Sequence, residues 1–483
     1  MIDFRPVLFL DGILLAVLAA AMAVPAGVVP LKAAGDGAVF IGCACATAAV
    51  GAAMILGNLP SQRLRLNTQQ SMLLVVSGLV LTGLCAAFPF RFASSHLAFT
   101  DAWFEAVSGL TTTGATVITN LDHTSPAVLL WRALLNWMGG IGIIVLAIAL
   151  LPALKVGGMQ IVDSGREPDK QGVLRGRILA DGKLLLSGYG FLTVLTGVGM
   201  WLAGMGPFDA LCHAMSAIST GGFSTSDLSL RHWGAGVQWV ALAAMLVGAS
   251  SLPMAVIALR RRSAMRLVDE QIVPFLATIV GIAVILIVWR GFNGVILSAD
   301  MIRATLFTTA SMITTTGFVV SDYSQWGGGT RVAFFMMAFV GGCLGSAAGG
   351  IKIFRWQVLA AAARVHVQQM IYPHRVIPID FNGRRVTDPV IEAVLAFFAV
   401  YVLTYAVHAA VLAALGLDLI SALSGSAAAL GNVGRGIGDV CGPSGNWHSI
   451  PKAAKWVLSF EMILGRLELF PVFILFTPGF WKE

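Results

Sequence analysis

Charge is scarce in this 483-residue sequence: Asp, Glu, Lys and Arg make up 11% of it, against about 25% in a typical soluble domain. A water-soluble surface of that extent would be left uncovered. Hydrophobic residues account for 57% before the 54 glycines are counted, and the mean hydropathy is +0.84, so the apolar side chains must face lipid. The scarcity of charge excludes a soluble enzyme, a disordered chain and a nucleic-acid binder, and the net charge of +7 is read as membrane topology.

Cysteine is sparse as well. The six (Cys43, Cys45, Cys85, Cys212, Cys343, Cys441) form no CxxC and have no His at ligand spacing, which argues against a zinc or redox site and for small apolar residues in helices. Also missing are HExxH, GxSxG and a GxGxxG following a strand. No cofactor is expected on this chain, and no enzymatic activity. The first apolar run follows Arg5 and extends to about Val29, too long for a signal peptide, so a retained first helix is expected.

What is present is a series of apolar runs of about 20 residues, enough to cross ~30 Å of hydrocarbon as helix. Ten are placed near 7–30, 37–58, 69–90, 128–154, 184–205, 234–259, 270–292, 331–363, 389–416 and 453–479. Four shorter stretches, near 101–112, 209–220, 301–315 and 418–430, are too short to cross and are expected to be re-entrant. With the N-terminus placed inside, 20 of the 31 Lys and Arg fall on the cytoplasmic side, mainly in the 155–183, 260–266 and 352–385 segments. Ten fall outside and Arg466 alone lies within a span. The asymmetry predicts a multi-pass protein with both termini cytoplasmic.

The four short stretches carry a repeat. They contain Ser108-Gly-Leu-Thr-Thr-Thr-Gly114, Ser216-Ala-Ile-Ser-Thr-Gly-Gly222, Ser311-Met-Ile-Thr-Thr-Thr-Gly317 and Ala428-Ala-Leu-Gly-Asn-Val-Gly434. A glycine closes each. An aspartate opens each (Asp101, Asp209, Asp300, Asp418) and is expected to cap the short helix. Non-helical backbone at membrane depth leaves carbonyls unsatisfied, at several kcal/mol each, unless it lines a water- or ion-filled cavity. Four such loops around one axis would turn carbonyls inward, with the negative ends of four helix dipoles aimed at the same centre. Both features favour a dehydrated cation. The candidate ion-binding residues are Thr111, Thr112, Thr113 and Gly114; Ser219, Thr220, Gly221 and Gly222; Thr314, Thr315, Thr316 and Gly317; and Gly431, Asn432, Val433 and Gly434.

With these motifs, and with Asn136-Trp-Met-Gly-Gly-Ile-Gly-Ile143, Gly341-Gly-Cys-Leu-Gly-Ser-Ala-Ala-Gly-Gly-Ile-Lys352 and Leu464-Gly-Arg-Leu-Glu468, the whole chain resembles the Trk/Ktr/HKT superfamily of potassium transporters, and within it the Trk-type membrane subunit. The resemblance implies an all-α integral membrane protein of four non-identical M1–P-loop–M2 units around one pore. Their expected bounds are 61–182, 183–268, 269–387 and 388–483, preceded by a two-helix hairpin at 1–60. It implies potassium uptake across the bacterial inner membrane, with potassium as the filter-bound ion. A homodimer is implied too, as is a cytosolic ring of Rossmann-type subunits that binds a nucleotide of the NAD or ATP class and docks on the basic loops. Those loops also suit anionic lipid. Sodium-favouring plant relatives carry serine at the first closing position, whereas glycine stands at all four here.

Three features keep two readings each. The glycine-dense stretch Gly345-Ser346-Ala347-Ala348-Gly349-Gly350, ahead of Lys352, is either close helix packing or, by resemblance, an intramembrane gating loop; no GK[ST] supports a phosphate loop. The family has threonine where Ala347 stands. Arg466 either pairs with Glu461 or Glu468, or faces the cavity beneath the filter and opposes ion passage. Arg435 stands where the family usually has proline; it is either paired with Asp439 or Asp322, or it tunes conductance. The alternative function is an ion-coupled secondary transporter of another monovalent cation, which would need repeats of inverted topology; the four motifs share one side.

Overall fold

The computed structural model describes residues 3–28, 34–60, 66–149, 171–251, 270–374, 377–381 and 384–482. Among the described residues the fold is helical apart from a hairpin of two two-residue strands, Asp380–Phe381 antiparallel to Arg384–Arg385.

Helices α1 (Arg5–Ala26) and α2 (Ala34–Gly57) form the leading hairpin. They cross where two glycines face each other: a Cβ on Gly12 would lie 2.8 Å from Gly51 O, and one on Gly51 would lie 2.9 Å from Gly12 O. Small residues let two backbones approach without a polar contact. The hairpin is tied to α3 (Thr68–Phe92) by Ser77 Oγ, which donates to Asp11 Oδ2 at 2.8 Å. A capping box starts α3: Gln70 N donates to Asn67 Oδ1 at 2.7 Å and Asn67 N to Gln70 Oε1 at 3.0 Å.

Four repeats of long helix, short helix and second helix follow. The long helices are α3, α6 (Gln171–Leu202), α9 (Ile272–Phe292) and α13 (Asp388–Ala414); the short ones are α4 (Phe99–Leu110), α7 (Pro207–Ile218), α10 (Ala299–Ile313) and α14 (Leu419–Leu430). The second helices are α5 (Pro126–Ala149), α8 (Ala235–Ala249), α11 (Gly328–Met337) and α15 (Lys452–Arg466). The short helices sit in the interior: Phe104, Ser108, Ser216, Phe307 and Ala428 are all fully buried.

Among the described residues seven helices are long and apolar enough to cross a membrane: α1, α2, α3, α5, α6, α9 and α13. The ten uninterrupted spans expected from hydropathy are therefore corrected at the second helices of the last two repeats. In the third, α11 ends at Met337 and helix resumes only at α12 (Ile353–Ile371). In the fourth, α15 stops at Arg466; Glu468 and Leu469 turn left-handed at φ 60° and 66°, and Pro471 sits in the short helix that follows. Hydropathy cannot register such breaks, because most of the interrupting residues are themselves apolar or small. In the second repeat α8 is helical to Ala249 and the remainder of the expected 234–259 span lies outside the described residues. The segment expected as a loop to residue 183 is helical from Gln171.

Candidate functional site

Each short helix ends in the same backbone motif. The residues three before the closing glycines, Thr111, Ser219, Thr314 and Gly431, are the C-caps. The next residue is left-handed in all four, Thr112 at φ 52°, Thr220 at 50°, Thr315 at 57° and Asn432 at 52°. The one after returns its N–H to the helix: Thr113 to Ser108 O at 2.8 Å, Gly221 to Ser216 O at 2.8 Å, Thr316 to Ser311 O at 2.9 Å and Val433 to Ala428 O at 2.8 Å. This is a Schellman closure, which ordinarily puts glycine at the left-handed position. Threonine there costs about 1–3 kcal/mol of backbone strain, held by side-chain anchors. Thr315 Oγ1 accepts from Gly349 N at 2.8 Å, and Asn432 Nδ2 donates to Thr113 Oγ1 at 3.0 Å and Met462 O at 2.9 Å.

The closing glycines are left-handed too, Gly114 at φ 77°, Gly222 at 74°, Gly317 at 76° and Gly434 at 70°. They close a ring. A Cβ on Gly114 would run into Gly221 O, on Gly222 into Thr316 O, on Gly317 into Val433 O and on Gly434 into Thr113 O, all well under the 3.0 Å that real Cβ atoms respect. Each loop thus seats its closing glycine on the carbonyl of the next, and the fourth returns to the first. All sixteen candidate residues are brought into this one assembly, fifteen of them buried and Gly222 half-buried. The second helices approach it through glycines as well: a Cβ on Gly139, Gly248 or Gly465 would strike the last carbonyl of α4, α7 or α14, namely Leu110 O, Ile218 O and Leu430 O.

Around the ring lie polar braces. Hydroxyls pair within loops, Thr111 Oγ1 with Thr113 Oγ1 at 2.7 Å and Thr314 Oγ1 with Thr316 Oγ1 at 2.8 Å. Glu105 on α4 takes Thr116 Oγ1 at 2.9 Å, Val117 N at 2.8 Å and Arg132 Nε at 2.8 Å. Arg132 then donates to Ser224 O at 2.6 Å, so one buried ion pair fastens the chain after the first loop to the chain after the second. Only Asp418 of the four aspartates caps its helix, accepting from Ser421 N at 3.1 Å. The other short helices begin two or three residues before the acid, on Ala98, Gly206 and Ser298. Asp101, Asp209 and Asp300 instead lie in the first turn, where the helix dipole still favours a negative charge. Asp101 pairs there with Lys455 at 2.5 Å and Asp300 with Arg303 at 2.7 Å.

Against the ring lies the non-helical stretch between α11 and α12. A Cβ on Gly349 would meet Gly431 O at 2.5 Å, and Gly349 N bonds Thr315, so this stretch touches the third and fourth loops. Gly341, Gly345 and Gly350 are left-handed at φ 79°, 78° and 74°, so the glycines mark a broken backbone here and the straight close-packing helix is excluded. Ala347 N donates to Gly248 O at 3.2 Å and Cys343 N to Ala249 O at 2.9 Å. Ser346 Oγ bonds locally to Cys343 O at 2.6 Å.

Arg466 donates to Ala347 O at 2.7 Å and to Gly139 O at 3.2 Å. The ion pair with Glu461 or Glu468 does not form. Glu468 is taken by Lys352 at 3.1 Å and by Arg355, and Glu461 contacts Ser426. Arg435 pairs with neither Asp439 nor Asp322; its Nη1 donates to Gly445 O at 2.6 Å. Asp322 is occupied elsewhere. Burial raises its pKa, but hydrogen bonds from Ser324 and Ser444 and the charge of Arg231 outweigh that and hold the carboxyl below the usual range.

Arg466 is also not alone in the interior. Arg132, Lys352, Arg355 and Lys455 are each no more than 3% exposed, which corrects their assignment to aqueous faces. Each is matched to a carboxylate from a distant segment, a pairing that a count along the chain cannot register. The 260–266 loop and residues 155–170 lie outside the described residues. Sequence reasoning missed the Glu105–Arg132 brace and the Glu468 cluster, for which an acid and a base inside apolar stretches were the available signal.

A family model described as a cation transport protein, TrkH, matches residues 36–482. The Trk system potassium uptake protein TrkI of Halomonas elongata is 37% identical over 99% of this chain and 97% of its own length. The TrkH protein of the same system in Escherichia coli K12 is 35% identical over 99% of this chain and all of its own. The crystal structure of the potassium transporter TrkH from Vibrio parahaemolyticus matches with a TM-score of 0.90 at 33% identity, covering 100% of both chains. The chain therefore belongs to the TrkH family of cation transport proteins, transporters rather than enzymes.

Proposed function

We propose that this protein takes up potassium across the bacterial inner membrane through the four-loop ring, which acts as its selectivity filter. The observation that carries the reading is the cyclic seating of the four closing glycines on the carbonyls of Gly221, Thr316, Val433 and Thr113. Backbone oxygens held around one centre replace the hydration shell of a monovalent cation. The C-terminal ends of α4, α7, α10 and α14 add negative dipole ends to the same place. Uptake then draws on the membrane potential, about 2.3 kcal/mol per charge per 100 mV. Glycine at all four closing positions supports potassium over sodium.

In this reading residues 1–60 are an accessory hairpin and 61–182, 183–268, 269–387 and 388–483 are the four pore units, with both termini cytoplasmic. The stretch Gly345–Gly350 closes the pore beneath the ring. Arg466, bonded to Ala347 O, holds that stretch and places a positive charge in the ion path, while Lys352 and Arg355, clamped by Glu468, fix its far end. A cytosolic nucleotide-binding ring, acting on a homodimer of this chain, moves the stretch aside. Nucleotide binds the partner, since no phosphate-binding motif is present in this sequence.

Expression with its cytosolic partner in a bacterium lacking its own potassium uptake is expected to restore growth at low external potassium. Well-inserted protein that fails to rescue would contradict the assignment.

A further inference from the structure

Arg435 is the residue the proposed function leaves unused. It follows the closing glycine of the fourth loop directly, and its Cγ lies 3.5 Å from where a Cβ on Gly317 would stand, so the side chain also covers the third. Its guanidinium is fixed rather than free: Nη1 donates to Gly445 O at 2.6 Å and reaches Gly442 O at 3.5 Å. The backbone that holds it is itself pinned. Gly436 N donates to Cys441 O at 2.6 Å, Tyr323 Oη to Gly436 O at 2.7 Å and Trp447 Nε1 to Gly434 O at 3.2 Å.

The partners that hold Arg435 are carbonyl oxygens, which orient a charge without cancelling it. Among the described residues no carboxylate makes an ion pair with it. Asp227, which accepts from Leu121 N at 2.9 Å, attracts the guanidinium from a distance without pairing with it, and Asp322 accepts from Ser324 N at 3.1 Å. Arg132 and Arg231 add further positive charge to the same region. A guanidinium keeps its proton at any working pH.

From this placement we propose that Arg435 is a valence-discriminating barrier at the outer mouth of the ring, admitting monovalent cations at a modest cost in occupancy while repelling divalent ones strongly. The inference rests on the filter reading and deepens it. A fixed charge that lowers the local concentration of a monovalent cation by a factor f lowers that of a divalent cation by f squared, because the electrostatic work doubles with valence. A factor of roughly three for rubidium, the size expected for a partly solvated charge several ångströms from the ion path, becomes roughly nine for barium. A brace that merely holds the 436–446 loop has no such square relation.

The test is rubidium uptake by the full-length protein in proteoliposomes, with external barium as blocker, comparing wild type, Arg435→Lys and Arg435→Gln. Arg435→Gln is expected to lower the KM for rubidium roughly threefold and to strengthen barium block by about the square of that shift. Both changes should shrink as inert salt screens the mouth. Arg435→Lys should behave like wild type. If the glutamine variant does not fold, Arg435→Met takes its place. Unchanged KM and block in a neutral variant, or a lysine variant that matches the neutral one, would overturn the inference while leaving the filter intact. A wild type that takes up no rubidium would remove the filter reading itself.

Discussion

Gly222→Ala is expected to lose at least tenfold of the discrimination between rubidium and sodium, or to lose conduction altogether. Alanine adds one carbon, and that carbon has nowhere to go: Thr316 O occupies its position more tightly than at any other closing glycine. Relief requires either moving the Thr316 carbonyl, which belongs to the proposed ring, or rotating residue 222 away from φ 74°, which breaks the seat between the second and third loops. The left-handed backbone alone costs a β-carbon about 1–2 kcal/mol, and 1.4 kcal/mol is already tenfold in a rate ratio. Gly114→Ser should act in the same direction through Gly221 O. The control is Gly142→Ala on α5, where nothing lies within 4 Å of the added carbon and uptake should be unchanged. Rubidium and sodium fluxes in proteoliposomes decide it. Discrimination retained in Gly222→Ala would mean that selectivity arises elsewhere.

Deleting Gly345 to Gly350 is expected to raise flux roughly tenfold or more in the absence of the cytosolic partner, the equivalent of removing ~1.4 kcal/mol of barrier. The stretch carries the Gly349 contact with Thr315 and Gly431 and the Ala347 carbonyl that anchors Arg466. Its removal therefore takes away backbone from below the ring and frees Arg466 from one of its two carbonyls. The remaining anchor is Gly139 O on α5, at 3.2 Å. Flux that stays at the wild-type level without the partner would deny the stretch a gating role.

The short helices and the ring were legible in the sequence because they depend on local grammar. An apolar run too short to cross, followed by Thr-Thr-Thr-Gly or its variants, put the first short helix at 101–112, and it is found at Phe99–Leu110. What local grammar cannot carry is partnership between segments. Lys455 and Asp101 pair across 354 positions, and Arg355 and Glu468 across 113. Their burial was invisible to a topology count that sorts cations by loop.

The same limit governs Arg466 and Arg435. In both cases carboxylates looked like partners, yet backbone carbonyls hold the guanidinium. Those carbonyls come from Ala347 and Gly139 in one case and Gly445 in the other. Ala347 and Gly445 lie in irregular backbone, so those two contacts become visible once the breaks after Met337 and Gly434 are known, whereas Gly139 lies within α5. The left-handed threonines were hidden for another reason. Thr112, Thr220 and Thr315 occupy a conformation that β-branched residues avoid, and the ring imposes it against local preference.

If the carbonyls of Thr113, Gly221, Thr316 and Val433 surround the permeating ion, anomalous diffraction from crystals of the protein grown in rubidium should show it there. A rubidium peak on the axis of the ring, within coordination distance of all four carbonyl oxygens and lost in crystals of Gly222→Ala, is the expected result. A ring that holds no rubidium at concentrations where the same protein transports it, with the ion bound elsewhere in the fold, would mean that the ring is not the filter.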